Sequence, residues 1–278
     1  MARHDRLREF LVLLEGMGPE DGPAILKVFG RMDRQGGQYP LEWQAFVTRW
    51  GEVNGVAAAS HHLARIDERW ARGSIGSVFA GWAKHGAEEA VEFINGAEFP
   101  EEITDIAILG LISGVGDSSP QRALEVAVAN VDKDDRRVAS RAMEAVAESA
   151  VRQGGTEAVL GVFGELPDPA WKRAAFPHVW WRLQHSDQDT ASQWLVDHSR
   201  AEWANPTQYR ETIQSKARSD PRAALEWASQ LPVELASDQK QQTFRTWQQQ
   251  DAAAADLWLQ GQPDELVRLL SESAGAEE

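Results

Sequence analysis

The side chains best suited to chemistry in this chain are a run of aromatic rings and imidazoles. Trp171, His178, Trp180 and Trp203 lie close together in the sequence, with His185 and Tyr209 nearby. Flat rings beside polar tips suit the gripping of a peptide or of a sugar face on a concave surface. The plainer reading, in which an irregular segment uses its rings to fill extra volume, is preferred. The four residues Trp171, His178, Trp180 and Trp203 stand as the binding candidates.

Other polar groupings carry less. His61 and His62 are adjacent, so on a helix they point about 100° apart and do not share a metal as residues at i and i+4 do. The stretch HSDQD at 185–189 has ligands for a cation but reads equally as a polar loop. VDKDD at 131–135 is similar to the D-x-D-D string of class II terpene cyclases. Here it precedes a helical stretch, where Asp134 and Asp135 favour the helix start by charge and capping. It lacks the Gly and Glu positions of an EF-hand. GLISGVGDSSP is rich in glycine, but no Walker lysine follows it and no strand precedes it. No G-x-S-x-G or G-x-G-x-x-G occurs either. The expectation is a protein with no catalytic residue, no metal and no cofactor.

Composition narrows the partners. Against 28 Lys and Arg stand 43 Asp and Glu, a formal charge of −15 that repels phosphate backbones and attracts cationic partners. Nucleic acid is therefore disfavoured. Cysteine is absent, which removes thiolate nucleophiles and Cys-ligated zinc without fixing a compartment. No apolar run approaches a membrane span of about 20 residues. FLVLL at 10–14 is shorter than the apolar core of a signal peptide, ~7–15 residues, and reads as the apolar face of a first helix. A soluble protein follows, cytoplasmic or exported after loss of a leader.

These side chains hang on a repeated phrase. SDPRAALEWASQLP at 219–232 has a capping Asp220, Pro221 in the first helical turn, a small-residue face and a Leu-Pro stop. Weaker copies centre on Ala24, Ala58, Ala90, Ala123, Ala158, Ala191, Ala224 and Ala255, at intervals of 31–35 residues. In most copies an apolar residue follows the alanine at i+4: Val28, Ile94, Ala127, Val162, Leu195, Ala228 and Leu259, with His62 the exception. Between copies run amphipathic stretches at 40–50, 102–115, 136–151 and 239–247. Trp50, Trp82, Trp181 and Trp247 recur eight or ten residues before the alanine, and Trp194, Trp227 and Trp258 three after it. Recurrence predicts packing for all seven. No stretch alternates with period two, so no sheet is expected.

A helical hairpin of about 33 residues cannot bury its apolar face alone, and stacking on the next copy does so. Such units resemble tetratricopeptide-like α-solenoids, with HEAT-like repeats as a looser relative. The Ala-x3-apolar half of the tetratricopeptide pattern is kept. Trp82 and Trp247 stand at its first-helix position without the Leu-Gly pair or the Tyr that follow in that family. The expected fold is an all-α superhelix of about seven to eight hairpins in one domain, 1–278. Residues 1–15 would cap it, 16–261 form the repeats, and 262–278 supply a C-terminal cap and a frayed tail. The resemblance implies a non-enzymatic protein–protein interaction scaffold with an acidic, Trp-rich surface. The alternative is a carbohydrate-handling module or enzyme with a pocket around 171–185.

Overall fold

A computed structural model of the protein describes residues 3–34 and 39–272, and the tail expected to fray, 273–278, lies outside them. The described residues are helical, with no strand among them. The chain divides into two compact units, Met1–Glu165 and Leu166–Glu278.

The first unit holds α1 (Arg3–Glu15), α2 (Gly22–Arg34), α3 (Pro40–Val53), α4 (Gly55–Leu63), α5 (Arg69–Gly96), α6 (Glu101–Gly116), α7 (Pro120–Asn130) and α8 (Arg136–Glu165). Local chemistry sets these ends. Pro40 and Pro120 open their helices, where the missing N–H has no partner to lose. The side chains of Asn54 and Ser119 accept from the free amides of Ala57 and Arg122. Asp135 does the same for Arg137 and Val138 at the start of α8, so the D-x-D-D string serves as a cap. Two long helices bend at glycine: α5 at Gly86, and α8 at Gly154 and Gly155, the latter at φ 62°.

Glycine also sets how closely the central helices approach. A Cβ on Gly51 of α3 would lie 2.0 Å from the Val78 carbonyl oxygen of α5, and one on Gly81 of α5 would lie 1.9 Å from that of Thr48 in α3. Gly110 and Gly114 of α6 meet the carbonyls of Gly76 and Ala80 in the same manner, at 2.1 Å. This backbone seam is what GLISGVG encodes. Around it pack Phe46, Trp50, Phe79, Trp82 and Leu111.

The second unit holds α9 (Pro169–Ser186), α10 (Gln188–His198), α11 (Pro206–Ser219), α12 (Pro221–Ala228), α13 (Ser237–Gln250), α14 (Ala252–Leu259) and α15 (Asp264–Glu272). Asp168, Asp187, Asn205, Asp220 and Asp251 cap five of these helices. The HSDQD stretch is thus a helix start: Asp187 accepts from Asp189, Thr190 and the Thr190 hydroxyl, which hold its carboxyl below the usual range. Phe176 is the hub of the core, with Trp194, Trp203 and Tyr209 rings at 4.9, 5.6 and 6.1 Å. The Tyr209 hydroxyl donates to the Leu195 carbonyl, and burial raises its pKa. Lys240 is buried too, donating to the carbonyls of Pro232 (2.7 Å) and Val233 (3.2 Å) and so fixing the loop before α13, while burial pushes its pKa down to about 8.

The phrase alanines are buried in six copies, at Ala58, Ala90, Ala123, Ala191, Ala224 and Ala255, and half-buried at Ala158. The first copy departs: Ala24 and Val28 are exposed, and Ile25, Leu26 and Phe29 pack inward instead. Gly22 lies flush against the Trp50 indole, so α2 is turned by one residue relative to the phrase. The apolar run in α1 is also split. Leu14 is buried, but Leu11, Val12 and Leu13 are exposed, because five successive residues span more than one helix face.

Candidate functional site

An open, aromatic-walled groove lies in the first unit. Its walls come from the starts of two helices that the glycine seam holds side by side. Pro40, Trp43 and Gln44 belong to α3, and Arg69, Trp70, Gly73, Ser74 and Ser77 to α5, with Glu68 just before α5. The groove encloses about 830 Å³. Trp43 and Trp70 meet edge to face at 5.6 Å, an arrangement the ring quadrupoles favour. The Glu68 carboxylate accepts from the Trp70 indole N–H and orients that ring. Both rings are half-buried, so each packs on one side and shows surface on the other.

Behind Trp70 sits a buried polar network. His62 takes the i+4 position that is apolar in the other phrases. Its Nδ1 lies 2.8 Å from the Ala58 carbonyl and its Nε2 3.2 Å from the Ser74 hydroxyl, which itself donates to the Trp70 carbonyl at 2.6 Å. With its one ring proton on the Ala58 carbonyl, neutral His62 presents Nε2 as an acceptor. The Ser74 hydroxyl therefore faces two acceptors, that nitrogen and the Trp70 carbonyl, and the pair braces the groove floor. Burial, opposed by the bond to Ala58, lowers the His62 pKa to about 4. The unfolded chain protonates this imidazole near pH 6.5 and the folded chain only near pH 4, so between those values the unfolded state binds more protons. Stability is expected to fall by about 3 kcal/mol as pH drops from 6.5 to 4 through this one group. Urea unfolding of the wild type and of His62→Leu at pH 7 and pH 4.5 measures it, and the variant should lose this component of the acid sensitivity.

A second groove, of about 680 Å³, adjoins the first at Gln44. Leu7, Leu11 and Leu14 of α1 face Leu41, Ala45 and Thr48 of α3 across it. Arg49 pairs with Glu52 at 3.2 Å and donates to the Leu14 carbonyl, tying α1 to α3. Arg49, Lys84 and His85 together hold the Glu52 carboxyl below its usual range against the effect of its burial.

The binding candidates read from the sequence lie in the second unit. Trp171 is 2 % exposed and Trp180 7 %, and Trp180 lines a small pocket of about 30 Å³ with Gln184, Gln188 and Thr212. His178 is half-buried. Trp203 is half-buried against Phe176 and the His198 ring, with the Lys172 ammonium 5.9 Å from its centre. The packing expectation holds for Trp50, Trp82, Trp194, Trp227 and Trp247, all buried, and in part for Trp258, half-buried against Phe244 and Trp247. It fails for Trp181, which is 46 % exposed. On α9 the inward positions belong to Phe176, Val179, Trp180 and Leu183, which leaves Trp181 facing outward under the His185 ring at 4.0 Å. Trp43 and Trp70, which form the groove, are both outside the recurring tryptophan positions.

No group of three or more His, Cys, Asp or Glu side chains able to hold a metal occurs among the described residues, and no helix among them is long and apolar enough to cross a membrane. Comparison with protein-family models, with curated proteins and with solved structures finds no match for this chain.

Proposed function

We propose that the protein is a non-enzymatic interaction scaffold, built as a superhelical array of divergent tetratricopeptide-like hairpins, that holds a peptide segment of a partner protein in the Trp43–Trp70 groove. The array reading draws support from where the short second helices begin: Gly22, Gly55, Pro120, Gln188, Pro221 and Ala252, with the kinks at Gly86 and Gly154–Gly155 at the places where two more would start. The observation that carries the binding reading is the groove itself. It combines two fixed, half-exposed indoles with a rim of Gln44, Glu68, Arg69 and Ser77. Large rigid rings with polar neighbours are the composition of interface hot spots. The formal charge of −15 favours a partner of basic character at long range, although residues 1–84, which hold the groove, are themselves balanced at 11 Lys and Arg against 10 Asp and Glu.

Gly73→Arg tests this reading. A Cβ at Gly73 meets nothing within 4 Å, so the new side chain enters the groove without disturbing the core. Peptides selected from a random display library on the full chain are expected to lose about 30-fold in affinity for the variant, by calorimetry, with its melting temperature unchanged or raised. A glycan array run in parallel separates the alternative. Sugar binding abolished by the same variant, with no peptide enriched, would establish the carbohydrate reading instead.

A further inference from the structure

We propose that two copies of this chain associate through α1, the two helices lying antiparallel about a two-fold axis between Leu11 and Val12. Large exposed apolar side chains concentrate at this end of the sequence: Leu11, Val12, Leu13, Val28, Leu41 and Val56, against Trp181 and Leu257 elsewhere among the described residues. Of these, Leu11 and Leu41 line one groove, and Val12 is the next residue to Leu11 on α1; contiguous exposed apolar surface marks an interaction site. What identifies the occupant as a second copy is the order of charges on α1. Arg8, Leu11, Val12 and Glu15 stand at i, i+3, i+4 and i+7, so they form one stripe, and all four are exposed. Neither Arg8 nor Glu15 makes an ion pair among the described residues.

The stripe is its own complement. A two-fold axis between Leu11 and Val12 sets Arg8 of each copy opposite Glu15 of the other, and Leu11 opposite Val12. The two ion pairs form at equal distances from the axis, as an isologous contact requires. The second helix would also cover Leu41, which lines the groove beside Leu11. Charge works against a meeting of like copies through the rest of the chain. Residues 1–84 hold 11 Lys and Arg against 10 Asp and Glu, whereas residues 85–278 hold 17 against 33. Two copies therefore repel each other over most of their sequence and not at the N-terminal end. This contact is independent of the Trp43–Trp70 groove and stands or falls without it.

Sedimentation equilibrium of the full chain at low and at high salt tests the proposal. The wild type should form a concentration-dependent dimer that weakens with added salt. Arg8→Glu and Glu15→Arg should each weaken it about tenfold or more, because each places like charges opposite one another twice per dimer. The double variant Arg8→Glu/Glu15→Arg restores both pairs with reversed polarity and should return to within about threefold of the wild type. Circular dichroism melts confirm that the variants fold, as expected for exposed positions. A wild-type chain that stays monomeric at 100 μM in low salt overturns the proposal, and so does a double variant that associates no better than the single ones.

Discussion

Gly81→Ala should destabilise the protein by about 2–3 kcal/mol, although alanine is the better helix former by about 1 kcal/mol. The reason lies in the seam between α3 and α5. The added methyl would sit 1.9 Å from the Thr48 carbonyl oxygen and 2.9 Å from the Glu52 nitrogen, both backbone atoms. A side chain in the way can change rotamer; a backbone carbonyl inside a helix cannot move without moving the helix. Because Gly51 presses on α5 from the opposite helix, and Gly110 and Gly114 press on it from α6, no sideways shift of α5 relieves one contact without tightening another. Gly161→Ala in α8 is the control. Nothing lies within 4 Å of its Cβ position, so propensity acts alone and stability should rise by about 0.5–1 kcal/mol. Opposite signs from the same substitution, read as urea midpoints at constant slope, check the argument. A neutral or stabilising Gly81→Ala would refute the tight seam.

The second large effect is expected at Trp82. Its indole rests against the bare Cα of Gly55, where a Cβ would lie 2.1 Å from the ring, and it stacks on Phe79 at 5.7 Å. The ring is buried. Removing it empties a space that α4, already in contact at a glycine, cannot fill by side-chain movement. Trp82→Ala should therefore cost about 3–5 kcal/mol. Trp181→Ala, a change of identical chemistry at an exposed ring, should fall within about 0.5 kcal/mol of wild type. Thermal and urea unfolding of the two variants side by side measures the difference, and equal losses would show that exposure at Trp181 is not what distinguishes them.

That pair of tryptophans also shows what the sequence discloses and where it stops. Trp82 and Trp181 look alike when the chain is laid out by its alanine phrases, because spacing along the chain reports helical position only to within a residue or two. One residue is 100° of helix rotation, enough to exchange a core position for a solvent one. On α9 the neighbouring Trp180 takes the inward place. The caps were legible because they are local. Asp220, Ser119 and Asp135 act on amides two or three residues away, and their chemistry is written in adjacent letters. The glycine seam was not legible, since GLISGVG has meaning only against Gly76 and Ala80 on another helix. The same holds for the groove. Trp43 belongs to one amphipathic helix and Trp70 follows a turn, and 27 positions separate them, so their pairing arises from the α3–α5 contact alone.

The seam bears on recognition as well. The walls of the Trp43–Trp70 groove are the first turns of α3 and α5, the two helices locked backbone to backbone a few turns further along. Glycine contacts have no rotamers, so the spacing between the walls has little slack to take up. An incoming segment meets a slot whose width is set before it arrives, and little ordering of the protein is subtracted from the affinity. Selectivity then works like a gauge: segments that fit the fixed opening bind, and bulkier ones are rejected because the opening does not yield.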